Sequence, residues 1–158
     1  MIICGIDSGS VSTGYGIISS YGSILKPIEF GTIRMKSETP FSQRIGFLFD
    51  NLNSIFKNFA IESIALEDVF VSKNARTALK LGQIRGAIIA CAHSNGISIR
   101  EFSPTLVKSA ITGNGRAEKS QVSFMVEKIL GLKEKPSSFD ASDALALAIT
   151  SALRKEIK

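Results

Sequence analysis

Four acidic side chains stand where a folded chain seldom leaves charge unbalanced. Asp7 ends the apolar run Ile2-Ile3-Cys4-Gly5-Ile6, and Glu67 ends Ile64-Ala65-Leu66. Asp140 and Asp143 open a third apolar stretch, Ala144 to Ile149. A carboxylate beside a core costs several kcal/mol, roughly, unless it is paired, hydrogen-bonded or bound to a cation. Each has an ordinary explanation when taken singly: Asp7 as the cap of its own turn through Ser10 or Thr13, Asp140 as a helix N-cap, Asp143 as a favourable charge in a first helical turn. Taken together, acids gathered at two strand ends and one helix start repel one another unless divalent cations hold them. All-oxygen ligands suit Mg²⁺, with Mn²⁺ as an alternative.

The elements that must position these acids follow from periodicity. Ile2 to Ile6 and Tyr15 to Ile18 flank a Gly/Ser/Thr turn, the pattern of a hairpin whose first strand is buried on both faces. Ile28 to Met35 reads as a third strand, which completes an antiparallel meander. After Pro40, apolar residues recur at three- and four-residue steps from Ile45 to Phe59, so a helix with one apolar face is expected. Ile61 to Val71 contains the short buried strand ending in Glu67, and its helical approach predicts that it runs parallel to the first. Asn74 to Asn95 is helical, with Ala75, Ala78, Gly82, Gly86 and Ala90 along one side. That stripe suits either a helix tucked tightly against its own sheet or one packed on a second subunit. Ile97 to Phe102 supplies a fifth strand, and Ser103-Pro104 caps a helix to about Ile111. The glycine-rich loop Thr112-Gly113-Asn114-Gly115-Arg116, basic at its end, leads into a helix from Glu118 to Leu130. A linker follows, then a last helix from near Asp140 through Leu153. Residues three apart on that helix, Asp140 and Asp143, share a face.

Composition narrows the class. A chain of 158 residues with 44% hydrophobic content predicts one globular domain over 1–158. Nineteen Lys and Arg against 14 Asp and Glu leave a net charge of +5, which suits an anionic partner such as nucleic acid. Met1 to Cys4 carries no basic leader and Gly86 to Ala92 is too short to span a bilayer, so a soluble, cytoplasmic protein without membrane contact is expected. Cys4 and Cys91 lie in apolar surroundings outside any Cys-x-x-Cys or Cys/His cluster and read as reduced core residues. The single His93 reads as structural or surface.

Six motifs in order carry a resemblance over essentially the whole length. They are Gly5-Ile6-Asp7-Ser8-Gly9 with Thr13-Gly14-Tyr15-Gly16; Leu66-Glu67-Asp68-Val69-Phe70; Asn74 to Gly86; Ser103-Pro104-Thr105-Leu106-Val107-Lys108; Thr112 to Lys119; and Asp140-Ala141-Ser142-Asp143-Ala144-Leu145-Ala146. The chain resembles the RuvC-type Holliday-junction resolvases. What the resemblance implies is an α/β, ribonuclease H-like fold, with a mixed five-stranded sheet and helices on both faces. It further implies a homodimer that cuts four-way DNA junctions by paired symmetric nicks, working beside a branch-migration helicase complex. By position, the family's catalytic and metal-binding carboxylates fall on Asp7, Glu67, Asp140 and Asp143, and its catalytically important basic residues on Lys108 and Lys119. Phe70 matches the aromatic that the family places near the crossover, although a core phenylalanine after a strand is an alternative reading. Lys73, Arg76 and Lys80 fall at helical spacing and, with Arg116, are candidates to track phosphates; a solvated basic face explains the helical three about as well. The implied chemistry is hydrolysis with two metal ions roughly 4 Å apart, leaving 5′-phosphate and 3′-hydroxyl ends. Ser8 stands where the family usually has proline, and Asp140 where some members have histidine.

Other readings are another ribonuclease H-like nuclease acting on RNA or other branched DNA, and a junction-binding module that does not cut. Gly5 to Gly9 is also similar to the phosphate loop of actin-like sugar kinases and chaperone ATPases, which need two such domains.

Overall fold

The computed structural model describes residues 1–68 and 74–154. Its elements run β1 (Ile2–Asp7), β2 (Ser12–Tyr21), β3 (Ile24–Arg34), α1 (Phe41–Phe59), β4 (Ser63–Glu67), α2 (Ala75–Ser94), β5 (Ser98–Phe102), α3 (Pro104–Thr112), α4 (Lys119–Leu130) and α5 (Phe139–Leu153). The strands form a five-stranded sheet in the order β3-β2-β1-β4-β5. The β1–β2 and β2–β3 pairs are antiparallel, whereas β4 runs parallel to both β1 and β5. The sheet is therefore mixed, and the parallel relation expected between β1 and the strand bearing Glu67 holds.

Strand alternation sends the side chains of β1 to two separate cores. Cys4 and Ile6 join Ile64, Leu66, Leu48, Leu52, Ile84 and Ile88 under α1 and α2. Ile3 joins Ala65, Val107, Val122, Val126 and Leu145 under α3, α4 and α5. Helices cover both faces, and β1 is buried on both, as its unbroken apolar run predicts. Cys4 and Cys91 are free, buried thiols in the α1/α2 core.

Two differences from the sequence reading concern extent. β2 begins at Ser12 and β3 at Ile24, both earlier than hydropathy suggests. The end of the Gly/Ser/Thr stretch that resembles a turn, from Ser12 on, is strand: Thr13 pairs with β3, and Gly14 and Gly16 pair with both β1 and β3. Its glycines serve packing. A Cβ on Gly14 would drive into the carbonyl oxygen of Asp140, one on Gly5 into that of Ala144, and one on Gly16 would lie 2.7 Å from Leu145 Cγ. Helix α5 thus rests on bare backbone of β1 and β2, and its first turn is set at the level where β1 ends.

The stripe on α2 does not face the sheet. The buried side of α2 is Ile84, Ile88, Cys91 and Ala92, while a Cβ on Gly82 or Gly86 would meet nothing within 4 Å. Of the two readings of that stripe, the close approach to its own sheet is excluded. Among the described residues, no helix is long and apolar enough to cross a membrane.

Candidate active site

The pairing register places the acids. Gly5 lies beside Ala65 in the parallel β1–β4 pair, and Asp7 and Glu67 follow two residues later on the same face, the one covered by α5. β1 and β4 both end there. Helix α5 starts at the same level, because Gly14, the partner of Asp7 across β1–β2, is in contact with Asp140. Asp143, one turn further along, enters the pocket from above. A pocket of about 130 Å³ is lined by Asp7, Glu67, Asp143, Lys108 and Lys119, over a floor of Val107, Val122, Ala146 and Leu147.

Asp140 does not line this pocket, although its charge reaches Asp7 and Lys119. It lies in the first turn of α5 with Ser138 as the N-cap, whose hydroxyl accepts the Ala141 N–H. The N-cap explanation of Asp140 is thereby corrected. Asp140 turns toward β2, where Ser12 Oγ donates to its Oδ2 at 2.6 Å, so the two aspartates of α5 diverge, one into the pocket and one to its rim. Nor does Asp7 cap its own turn through Ser10 or Thr13: the Thr13 hydroxyl donates to the Gly9 carbonyl.

The electrostatics are those of crowded acids over an apolar floor. Burial, then the charges of Asp143, Glu67 and Asp140, push the Asp7 carboxyl up to about 7, against a smaller opposing pull from Lys119. Glu67 is raised as well, by burial and by Asp143, with Lys119 and Lys108 opposing. Lys119 Nζ donates to Asp143 Oδ2 at 2.7 Å, and this bond, with the surrounding acids, holds its ammonium above the ordinary lysine range. Among the described residues, no three Asp, Glu, His or Cys side chains converge into a closed metal cage as they stand. The donor set is nevertheless all oxygen and excess in negative charge, and an ammonium already occupies one of its acids as a counter-ion.

The sequence profile of the family described as crossover junction endodeoxyribonuclease RuvC matches residues 3–151. The chain belongs to the RuvC family. It is 43% identical over 154 residues to the crossover junction endodeoxyribonuclease RuvC of Pelodictyon phaeoclathratiforme, covering 98% of this chain and 81% of that one. To the protein of the same name from Citrifermentans bemidjiense it is 48% identical over 149 residues, covering 94% and 90%. Among solved structures, Thermus thermophilus RuvC in complex with Holliday junction substrate superposes with a TM-score of 0.88 at 29% identity, over 96% of this chain and 93% of that one. The ribonuclease H-like α/β architecture is thus that of the RuvC family.

Of the basic and aromatic candidates, Lys108 and Lys119 reach the pocket. Arg76 is exposed at the start of α2, where its N–H bonds to the N-cap Asn74. Lys80 lies back over the Phe41 ring of α1, 5.5 Å from its centroid. Arg116 is exposed in the turn before α4, its N–H bonded to Asn114 Oδ1. Phe70 and Lys73 lie outside the described residues. His93 is exposed in the last turn of α2, away from the acids.

Two positioning residues of this RuvC-family site escaped the sequence reading. Ser12 holds Asp140. Arg85 of α2 donates from Nη1 to the Glu67 carbonyl at 2.6 Å and pairs through Nη2 with Glu101 at 2.6 Å, which ties the end of β4 to both α2 and β5. Arg85 had a faint signal, a cation one step from the buried Ile84 and three from Ile88. Ser12 had none, since it falls in the stretch that reads as a turn between Ile6 and Tyr15.

Proposed function

We propose that this chain is a metal-dependent, structure-selective endonuclease that resolves four-way DNA junctions by paired symmetric nicks, acting in the cytoplasm through one nuclease domain. Its belonging to the RuvC family carries the substrate class. The observation that carries the chemistry is Asp7. Its carboxyl is buried and crowded by Asp143, Glu67 and Asp140, which together push it up to about 7 against the pull of Lys119, and a hard dication would relieve that crowding. Asp7, Glu67 and Asp143, with Asp140 at the rim, would hold Mg²⁺, two ions per site, with Mn²⁺ as substitute; such ions supply Lewis acidity toward the phosphate and lower the pKa of water.

The chain's own groups do the rest. The apolar floor of Val107, Val122, Ala146 and Leu147 keeps the dielectric low, so the charges above it act strongly. Lys119, tied to Asp143, presents an ammonium where negative charge grows on the phosphate. Lys108 adds a second positive charge on the pocket's α3 wall. Ser12 and Arg85 fix the carriers of Asp140 and Glu67.

Two matching nicks require two sites related by a two-fold axis. The outward stripe of α2 supports a homodimer: Gly82 and Gly86 leave the backbone bare, and Leu79 beside them is 64% exposed. The deciding experiment is nicking of an end-labelled four-way junction with a mobile core, by wild type and Asp7→Asn, in Mg²⁺ and in EDTA. Paired nicks by wild type that vanish with the substitution or the chelator, while binding survives, are expected. A junction bound but never cut under any metal overturns the enzyme reading.

A further inference from the structure

Beyond the carboxylate pocket, a groove of about 440 Å³ opens between α4 and the segment leading to α5. It is reached by crossing Lys119, since Lys119 lines the pocket while its neighbour Ser120 lines the groove. Phe124 and Phe139 form its walls and are 54% and 55% exposed, unusual for side chains of that size. Each ring carries a lysine. Lys128 Nζ stands 5.3 Å from the Phe124 centroid, and Lys119 Nζ 5.9 Å from that of Phe139. Ser120 and Ser123 line the groove as well, the Ser123 hydroxyl accepting from that of the buried Ser142 at 3.1 Å. The acid of the groove, Glu127, faces Lys135 at 3.9 Å and Lys119 is bonded to Asp143, so three lysines at and around the groove stand against two carboxylates, and Lys128 over the Phe124 ring is the one without an ion pair among the described residues.

We propose that this groove seats the sugar-phosphate backbone of the junction strand beside the scissile phosphate, as an extension of the nuclease reading on which it rests. A ring topped by an ammonium matches one nucleotide of backbone: the ring takes the apolar edge of the deoxyribose and the ammonium takes the phosphate. Most protein–DNA hydrogen bonds go to phosphate and sugar, and they set register. Continuity with the site fixes the occupant. Phe139 immediately precedes Asp140, and the lysine over its ring is the one bonded to Asp143. A strand whose phosphate lies in the pocket and which leaves on the α4 side crosses Lys119 and Phe139, and the groove, with Lys128 over its Phe124 wall, lies directly beyond. The Lys128–Phe124 couple is then a positioning contact outside the chemistry.

The test uses the full chain carrying Asp7→Asn, so that a synthetic four-way junction is bound and not cut, titrated in EDTA from 50 to 200 mM salt. Adding Lys128→Gln is expected to lower the slope of log K against log salt by about 0.9, one phosphate contact. The control Lys57→Gln, on α1 across the sheet, leaves the slope alone. Phe124→Leu and Phe139→Leu, conservative at exposed positions, weaken binding roughly three-fold or more without moving the slope, as loss of an uncharged contact must. Single methylphosphonates near the cut then locate the phosphate: one of them weakens the parent but not the Lys128→Gln chain. Equal slopes for Lys128→Gln and Lys57→Gln, with parental affinity in both leucine variants, overturn the groove and leave the nuclease reading intact. A parent that binds no junction overturns both.

Discussion

The two faces of the sheet use glycine for opposite ends. Under α5, Gly5, Gly14 and Gly16 let helix backbone settle on strand backbone, and any Cβ there meets a carbonyl or a core leucine. On the other side, Gly46 of α1 and Gly82 and Gly86 of α2 face open space. The α5 side is closed because Asp140 and Asp143 must sit at fixed heights above the end of β1. The α2 side is buried through Ile84 and Ile88 and leaves its small residues outward, where a second copy can come close. Rigidity in one place and an unfilled surface in the other are written with the same residue type.

The sharpest break of that contrast is chemical. Asp7→Asn leaves every packed glycine in place and is expected to abolish nicking by about three orders of magnitude or more, the scale of losing a principal catalytic group. Gel analysis of junction products in Mg²⁺ measures it, alongside binding that persists. Next comes the closed face itself. Gly5→Ala pushes a methyl into the Ala144 carbonyl, and a cost of roughly 3 to 5 kcal/mol is expected in urea melts, since neither strand nor helix backbone can yield.

The acids also set a pH dependence in the metal-free protein. A carboxyl whose folded-state pKa lies above its unfolded value binds its proton more tightly when folded. Its contribution to stability is therefore present below the unfolded value of 3.8 and lost as pH rises through about 7. Asp7 should thus cost the apo protein about 2 kcal/mol between pH 4 and 8, discounted for its partial exposure and shared charge. Thermal melts in EDTA across that range should fall for wild type and flatten for Asp7→Asn, and Mg²⁺ should restore wild type at pH 8. A smaller effect belongs to Ser12. Ser12→Ala frees Asp140 from its bond across the rim, and Mn²⁺ affinity followed by calorimetry is expected to drop roughly 10-fold or somewhat more, as for other residues that orient a metal ligand.

How far these features could be read from the chain differs in the same way between the faces. The apolar run of β1 and the three-and-four spacing of α1 state their burial directly, and strand ends at Asp7 and Glu67 announce the carboxylates. The intervening helix implied that β4 runs parallel to β1, whereas the register that unites the two acids is tertiary. Ser12 was invisible and Arg85 only faintly marked because their work is a hydrogen bond to another element, which no period or motif specifies. The start of β2 was underestimated because Ser12, Thr13 and Gly14 look like a turn when the helix lying on Gly14 is out of view. The stripe of α2 was legible as small but not as outward, since periodicity fixes which residues share a face and not what that face meets.

That stripe yields the smallest and most discriminating effect. An exposed glycine within a helix is less favourable than alanine by roughly 1 kcal/mol, so Gly82→Ala and Gly86→Ala should each stabilise an isolated protomer by about that amount, as no atom stands within 4 Å of the added methyl. If two copies of α2 pack along this face, the same methyl is forced between close backbones and the dimer should weaken by about 1 to 3 kcal/mol, the ordinary cost of overfilling a packed contact. Urea melts at high dilution report the first quantity and sedimentation velocity across concentration the second. Opposite signs place the partner on α2. Stabilisation with an unchanged dimer constant removes the partner from this face and leaves the stripe as bare solvent-exposed helix.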